Sequence, residues 1–360
     1  MSRARTFADL ATASEEGSLA NRNYFYNGDM QIYQRGSTAV ASDSIARTLD
    51  RWRMYNYSDG AVTVTQDTNA PSATAFTKSL KIDVTTADSS IGADEVAFIQ
   101  QRFEGQDLQN FLKGTSSAKK GTLQFWVSSP KTGTHIVEWY DTDNSRQISK
   151  TYTISSADTW EFKTITFDAD TTGTWNNDNL QSLEITWWLC AGTNFTSGTL
   201  NTTWGSVTAA NRAVGQVNVF DNTSNNFYLT GVQLELGEVA TPFKHETYID
   251  SLARCQRYFQ ISGTARTYGI VANQHTATAC YSNLRWWQLM RAAPTVTIGA
   301  TSAYNVYNAT ENVTISDIGA SQITANSCEL YATTSSRTVG TATHINTNGD
   351  TTFWKAESEL

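Results

Sequence analysis

Short segments in which apolar and polar residues alternate limit how this chain can fold more than any other feature of its sequence. Leu183, Ile185 and Trp187 are each separated by one residue, and similar alternation occurs in KSLKIDV, GTLQFWVSS and FYLTGVQLELG. A period of two is typical of a β-strand with one buried face and one wet face. The pattern therefore predicts antiparallel sheets. The 11% content of aromatic residues, which favour strands, agrees with it.

The spacing of these segments predicts a sandwich. Between residues 23 and 246 the chain reads as about eight short strands with turn residues between them. Clusters of Gly, Asn, Asp and Ser supply those turns. Such a series is typical of a two-sheet jelly roll. The most helix-permissive stretch inside it is predicted to be a strand over residues 96–103, followed by a short helical turn near Leu108.

Two further regions follow the predicted sandwich. Tyr248, Leu252 and Cys255 recur at helical spacing, so residues 247–260 are expected to form a short linking helix. Residues 261–360 are strand-like again, but they are too few for a second large sandwich. We expect a small C-terminal β domain there.

The N-terminal residues 1–22 differ from the rest of the chain. Phe7 and Leu10, together with Ala4 and Ala11, fall on one face at helical spacing, which predicts a short amphipathic helix. A helix of this length is marginal on its own and needs a surface to dock on. A frayed terminus is the alternative. The two arginines at the start are not followed by an apolar run, so a secretion signal is not expected.

Charge and hydropathy argue against several classes of function. The 26 basic and 34 acidic residues give a net charge of −8. Proteins that bind nucleic acid or anionic membranes normally carry a basic patch, so neither partner is expected. No apolar stretch approaches the length of a membrane-spanning helix. None of the cysteines forms a CxxC pair, so we expect free thiols in a chain folded in a reducing cytosol. The four cysteines are Cys190, Cys255, Cys280 and Cys328.

The sequence predicts no catalytic residues and no metal site or cofactor. The four histidines are not at metal-ligand spacing, and no HExxH, P-loop or nucleophile-elbow motif occurs. Glu138 and Glu184 each lie near a tryptophan, so a pair of glycosidase carboxylates remains open, although a solvated strand carboxylate is favoured. The turn DTDNS, residues 141–145, resembles a calcium loop only loosely and is expected to be a hairpin turn. A structural calcium ion stays open, with no location.

The tryptophans carry the clearest functional signal. Adjacent strand residues point to opposite faces, so one ring of the Trp187–Trp188 pair leaves the core, and the apolar alternation assigns Trp188 to the outside. The same argument places Trp126 outside. Large exposed rings commonly meet a partner. Three explanations are open: a subunit or domain contact, shielding by a loop, or glycan binding, for which Trp126 and Trp188 are the candidate residues.

Five segments in a fixed order resemble a known class of protein. The first is NRNYFYNGDMQIYQRG and the second is LDRW. They are followed by FYLTGVQLELGEVATPFKH, CQRYF and MRAAPTVTI. In this order the segments resemble tail fibre and related appendage proteins of tailed bacteriophages, notably those of marine and cyanobacterial phages. The opening SRARTFADLA also resembles the N-terminal attachment segment of some of them. The resemblance spans residues 1 to 300.

The resemblance implies a carbohydrate-binding-module-like jelly roll in a virion appendage made in the bacterial host cytoplasm. Such proteins are typically homotrimers that join other tail proteins through their N-terminal segment, which here contains Phe7 and Leu10. They often recognise glycan on the host surface without catalysis. A purely structural appendage or adaptor component, whose exposed rings are subunit interfaces, is the alternative. A glycan depolymerase with paired carboxylates is a third hypothesis.

The motifs themselves are expected to be architectural. Residues 27–29 would form a turn, because Asn and Gly tolerate a positive φ. Asp50 and Arg51 would form a buried ion pair or cap beside Trp52, an aromatic core anchor. Residues 231–238 would form the closing strand, and residues 241–243 an exit turn.

Overall fold

The computed structural model describes residues 23–262, 269–307, 312–347 and 352–360. The chain divides into two compact units, the first ending at Ser251 and including Leu360, the second comprising Leu252–Glu359. The helix predicted around Phe7 and Leu10 lies outside the described residues. Within the described part, no helix is both long and apolar enough to cross a membrane.

The first unit is a jelly-roll β-sandwich of two antiparallel sheets, which confirms the predicted fold class. The six-stranded sheet has the order β1 (Thr38–Val40), β4 (Ala61–Asp67), β5 (Ser79–Thr86), β13 (Asn226–Leu236), β7 (Gly121–Ser128) and β10 (Glu161–Phe167). The seven-stranded sheet has the order β12 (Gly205–Ser206), β9 (Arg146–Ile154), β8 (Gly133–Asp141), β11 (Gln181–Ala191), β6 (Val96–Glu104), β3 (Arg53–Tyr57) and β2 (Ser44–Arg47).

Over residues 23–247, which the structure describes, helical structure is limited to single turns. One short α-helix, α1, spans Thr193–Thr196. The 3₁₀ turns span Gly105–Asp107, Gln109–Phe111, Ala209–Asn211 and Val219–Asp221. The first two flank Leu108, where the sequence predicted a short helical turn.

Aromatic side chains fill the space between the two sheets. The rings of Phe25 and Trp52 stack with their centroids 5.7 Å apart, and Trp187 lies 5.6 Å from both Trp52 and Phe125. All four side chains are buried. Trp52 is therefore the core anchor that its motif predicted, and the alternation of β11 correctly assigned Trp187 to the core.

The first motif and the closing strand are fastened together at the backbone. Residues 27–29 form the expected turn, and Asn27 has a φ of 53°. The carbonyl oxygen of Gly28 accepts a hydrogen bond from Val232 N at 2.9 Å. A Cβ on Gly28 would lie 2.1 Å from the Val232 carbonyl oxygen, so only glycine fits this close approach.

The LDRW motif holds the irregular segment around Gln34 against the sandwich. The buried Asp50 carboxylate accepts hydrogen bonds from the Gln34 backbone N at 2.7 Å and from its side-chain amide at 2.6 Å. Arg51 donates to the carbonyl oxygen of Arg102 at 2.6 Å and lies over the ring of Tyr26. Asp50 thus acts as a cap for an irregular segment that the strands do not pair.

A helix, α2 (Tyr248–Gln256), occupies the stretch whose apolar residues recur at helical spacing. The Thr247 hydroxyl accepts a hydrogen bond from Asp250 N at 3.3 Å. Threonine at this position is a favourable N-cap because it satisfies one of the free amide groups of the first turn.

The second unit contains a small sheet and a closed barrel. The three-stranded sheet has the order β14 (Phe259–Ile261), β22 (Trp354–Glu357) and β17 (Thr295–Ile298). The barrel has the order β15 (Gly269–Gln274), β16 (Ala279–Arg285), β20 (Ser327–Thr334), β19 (Asn312–Ser321), β18 (Tyr304–Tyr307) and β21 (Ala342–Thr347). A 3₁₀ turn spans Thr301–Ala303.

Two features of the side chains bear on the sequence analysis. Trp286 is buried and donates from its indole N–H to the carbonyl oxygen of Thr324 at 2.9 Å, whereas Trp287 is 47% exposed. The alternation of apolar and polar residues does not predict which of these two adjacent rings is buried. All four cysteines are free thiols in buried positions.

Candidate functional site

Rings and charged groups lie in register on one side of the seven-stranded sheet. We call this side, which points away from the sandwich core, the outer face. Directly paired residues of antiparallel strands share a face. The pairing gives three adjacent rows: Ile45–Tyr55–Phe98–Trp188, Arg47–Arg53–Gln100–Thr186–Glu138–Ser149, and Arg102–Glu184–Tyr140–Gln147.

Four aromatic rings form a ladder along the outer face. Tyr57 and Tyr55 have centroids 4.5 Å apart, Tyr55 and Phe98 stack at 4.6 Å with an interplanar angle of 5°, and Phe98 lies 5.2 Å from Trp188. Tyr57 is 38% exposed, whereas Trp188 has no exposed surface. The ladder therefore runs from a closed end at Trp188 to an open end at Tyr57.

The prediction that Trp188 is exposed is wrong. Its ring points away from the core, as the alternation required, but residues 192–213, the cover segment, fold over it. Phe195, Leu200 and Ala213 of this segment pack with the ring. The indole N–H donates to Glu138 Oε2 at 3.2 Å. Of the three explanations left open by the sequence, loop shielding is the one that holds for Trp188.

An ion pair fixes the cover segment to the sheet. Arg212 donates from Nε to Glu138 Oε1 at 2.8 Å and from Nη2 to Glu138 Oε2 at 2.9 Å. The Glu138 carboxylate is fully buried. Burial alone would lower the pKa of Arg212, but the adjacent carboxylate raises it. Glu138 is thus held as a structural partner of Arg212 and is not open to a ligand.

The part of the outer face that the cover segment does not cross, which we call the open half, carries fixed donors and acceptors. Arg53, Tyr55 and Arg102 are half-buried there, whereas Gln100 and Glu184 are buried. Arg102 Nη2 lies 2.7 Å from Glu184 Oε1, which also accepts from the Gln181 amide at 2.9 Å. With its amide oxygen turned toward Arg102, Gln100 accepts from Arg102 Nε at 3.0 Å. These bonds hold Glu184 and Arg102 in one geometry, which is the preorganisation that a binding site needs.

Arg53 is a cation on this face with unsatisfied donors. It is paired in register with Arg47 on one side and Gln100 on the other. Its Nε and Nη1 atoms are buried and have no hydrogen-bond partner. Burial lowers the pKa of Arg53, and the charges of Arg102 and Arg47 lower it further. Unpaired buried donors of a cation carry a desolvation penalty of about 1–3 kcal/mol each, or more.

Trp126 lies on the other sheet. It is on the outer side of β7, as predicted, and is partly exposed. Its centroid is 5.3 Å from that of Phe162, which is 48% exposed. Its neighbour on the other side in register is Thr230. Glycan binding by Trp126 stays a prediction.

The turn considered for calcium is a hairpin between β8 and β9, as expected, and an ammonium group fills its oxygen-lined centre. Lys113 Nζ lies 2.5 Å from Asp141 Oδ2 and 3.1 Å from Asp170 Oδ2, and it donates to the carbonyl oxygens of Thr172 and Gly173 at 3.0 and 2.7 Å. This turn therefore presents no open cage for a cation. In the described ranges, no cluster of three or more His, Cys, Asp or Glu side chains is arranged to hold a metal ion.

Of the residues of the open half, sequence reasoning considered Glu184 but missed Arg53, Arg102, Tyr55 and Tyr57. RMYNY alternates strictly and places Arg53, Tyr55 and Tyr57 on one face. That alternation was available as a signal. However, both of its faces carry polar or aromatic residues, so hydropathy alone could not tell which face was buried.

Comparison with known proteins finds solved structures that are similar to part of this chain. No protein-family model and no curated protein sequence matches it. Among solved structures, the enzymatically active domain of tailspike protein 4 of bacteriophage CBA120 is similar at 16% identity with a TM-score of 0.32, covering 60% of this chain and 21% of that chain.

Two sugar-binding structures are similar at the same level. One is a sugar-binding protein from Bacteroides thetaiotaomicron, at 13% identity and a TM-score of 0.32, covering 59% of this chain and 99% of that one. The other is a family 11 carbohydrate-binding module of a cellulosomal cellulase of Clostridium thermocellum, at 12% identity and a TM-score of 0.29, covering 58% and 98%. A likeness this weak does not carry function, which has to come from the residues of the outer face.

Proposed function

We propose that this chain binds glycan at the open half of the outer face. The observation that carries the proposal is the partly exposed end of the ring ladder, at Tyr57. This end lies on the same face of the sheet as the fixed polar groups of Arg102 and Glu184. The apolar face of a sugar stacks on an aromatic ring, and its hydroxyl groups bond to positioned charged and amide groups. Sites that combine an apolar surface with a few convergent polar groups are typical of small-ligand binding.

We propose that binding is not followed by catalysis. Both carboxylates considered for glycosidase chemistry have structural partners: Glu138 is enclosed with Arg212, and Glu184 is held by Arg102. A general acid needs a carboxyl group that can exchange its proton with the leaving group. A depolymerase would release new reducing ends from polysaccharide, and we expect none.

The motif order of the sequence supports a place for this activity in a virion appendage, most simply a homotrimeric phage tail fibre that adsorbs to host-surface glycan. In this proposal residues 1–22, with Phe7 and Leu10, attach the protein to other tail proteins. Three linked copies of a weak site gain orders of magnitude in avidity without any new contact.

One observation supports the alternative of a purely structural role. On the outside of the barrel, Val271, His344 and Tyr307 lie in register, and Val271 and Tyr307 are 64% and 44% exposed. Exposed apolar groups in a row suit a subunit interface. In that case changes at Val271 would weaken assembly and leave glycan binding unchanged.

The proposed activity can be tested with an array of bacterial surface polysaccharides. We expect specific retention of the chain, and a loss of about tenfold or more in affinity for Tyr57→Ala, since a stacked ring contributes on the order of 1–3 kcal/mol. Tyr248→Ala is a matched control, because Tyr248 is an exposed tyrosine away from the face. Failure to retain any polysaccharide, or equal losses for both variants, would contradict the proposal.

A further inference from the structure

This inference rests on the proposed function and specifies the ligand. We infer that the glycan is acidic, and that a carboxylate or sulfate group of the sugar binds the guanidinium group of Arg53 beside Arg102.

The first observation is the charge of the open half. The polar rows bring Arg47, Arg53 and Arg102 together with two carboxylates, those of Glu138 and Glu184, and Glu138 is already paired with Arg212. The chain as a whole carries a net charge of −8, so this face is locally opposite in sign to the rest of the protein. A neutral sugar supplies no charge to offset the repulsion among the arginines, whereas an acidic sugar does.

The second observation is which arginine has donors to offer. Arg102 is engaged by Glu184 and Gln100, and Arg47 donates to a main-chain oxygen of Leu360 at 3.0 Å. Arg53 instead has two N–H-bearing nitrogens, Nε and Nη1, without partners. A guanidinium group presents its donors as a planar fork that matches the two oxygens of a carboxylate or sulfate. Both atoms are buried, whereas the residue as a whole is half-buried. Binding would therefore need the Arg53 side chain to shift toward solvent, and an acidic group is the ligand that would then satisfy these donors.

The third observation is the neighbouring ring. The Arg53 guanidinium lies 6.0 Å from the centroid of Tyr55, whose ring continues to the exposed Tyr57. Tyr57 and Arg53 are about 13 Å apart along β3, so a sugar stacked on Tyr57 would place the next sugar of the same chain near Arg53. The geometry joins one stacking surface and one anion contact within a single site.

The test compares acidic polymers with their neutral counterparts. Binding of the full chain is measured to polygalacturonate and to its methyl ester, and to dextran sulfate and to dextran. The first pair reports on carboxylate and the second on sulfate. Arg53→Met removes the charge but keeps the stem, and Arg53→Lys keeps the charge but not the fork. Lys81→Met is the control, since it removes one positive charge from the other sheet, where Lys81 pairs with Asp83 at 3.1 Å.

We expect at least one acidic polymer to bind about tenfold or more tightly than its neutral partner, with Arg53→Met abolishing most of that difference, as charged hydrogen bonds are lost. Arg53→Lys should be intermediate and Lys81→Met unchanged. Unfolding temperatures should not fall for Arg53→Met, because the variant removes a poorly satisfied cation.

Other outcomes separate the two proposals. Equal binding of neutral and acidic polymers, lost in Tyr57→Ala, would overturn the acidic ligand and leave glycan binding standing. Equal losses for Arg53→Met and Lys81→Met would overturn it as well, because they would show attraction to overall charge. Absence of binding to every glycan tested would overturn both proposals.

Discussion

Lys113 shows how much one residue can contribute when its charge is enclosed. Its ammonium group and the carboxylate of Asp141 are both almost fully buried. Lys113→Met would leave Asp141 ionised in the interior without a cation. We expect the free energy of unfolding to fall by about 3–5 kcal/mol, measured by urea denaturation.

Lys150 offers the matched comparison for this prediction. It pairs with Asp168 at 3.1 Å, but that carboxylate is 44% exposed. An exposed pair contributes about 1 kcal/mol or less, so Lys150→Met should cost little. Similar losses in the two variants would show that burial does not decide the strength of these pairs.

His135 makes stability depend on pH. Its ring is buried against Tyr152, and burial lowers its pKa to about 4, below the value near 6.5 of the unfolded chain. The unfolded chain therefore binds more protons between these values, so this contribution is full above pH 6.5 and is lost as the pH falls toward 4. We expect about 2 kcal/mol less stability at pH 5 than at pH 7 from this residue.

The comparison that isolates His135 uses His135→Phe, which lacks the titrating group. This variant should lose that part of the pH dependence, whereas His275→Gln, at an exposed position, should keep it. An unchanged pH profile in His135→Phe would contradict the account.

At the scale of the element, the ion pair between Arg212 and Glu138 holds the cover segment in place. Arg212→Ala would leave a buried carboxylate unpaired, and we expect a loss of about 3–5 kcal/mol. Cleavage by a protease within residues 192–213 and quenching of Trp188 fluorescence should both increase. The double variant Arg212→Met with Glu138→Gln should recover part of the loss, since it removes the uncompensated charge. A double variant no more stable than Arg212→Ala would argue against this role.

Elements differed in how far the sequence could predict them. Long strands such as β7 and β11 were predicted because apolar residues occupy every second position along them, as Leu183, Ile185 and Trp187 do in β11. The short strands β1 and β2 have only three and four residues, too few to show a period. For the same reason the sequence predicted fewer strands in the sandwich than the structure contains.

The candidate site was less predictable than the fold, for a physical reason that Trp188 illustrates. Alternation along a strand determines which face a side chain is on. It carries no information about a segment that crosses that face from elsewhere in the chain. The same limit hid Arg53, whose neighbours Arg47 and Gln100 come from two other strands. The sequence could predict on which face of a sheet a side chain lies. It could not predict which segment covers that face, or which side chains of different strands cluster on it.

At the scale of the whole molecule, the proposed tail fibre is expected to be a trimer. Light scattering of the full chain should give a mass near three times the 39.7 kDa of one chain. Val271→Asp, at an exposed apolar position of the barrel, tests whether that surface takes part in assembly. A clean monomer would contradict the trimeric fibre while leaving the glycan site to be judged separately.

The account depends most on where glycan binds, and two sheets offer exposed rings. The most direct measurement is the affinity of Tyr57→Ala and Trp126→Ala, side by side, for a polysaccharide that the unmodified chain retains. We predict a loss of about tenfold or more for Tyr57→Ala and little change for Trp126→Ala, because Tyr57, unlike Trp126, lies on the same face as the fixed polar groups of Arg102 and Glu184. A loss confined to Trp126→Ala would place the site on the six-stranded sheet and contradict the central claim.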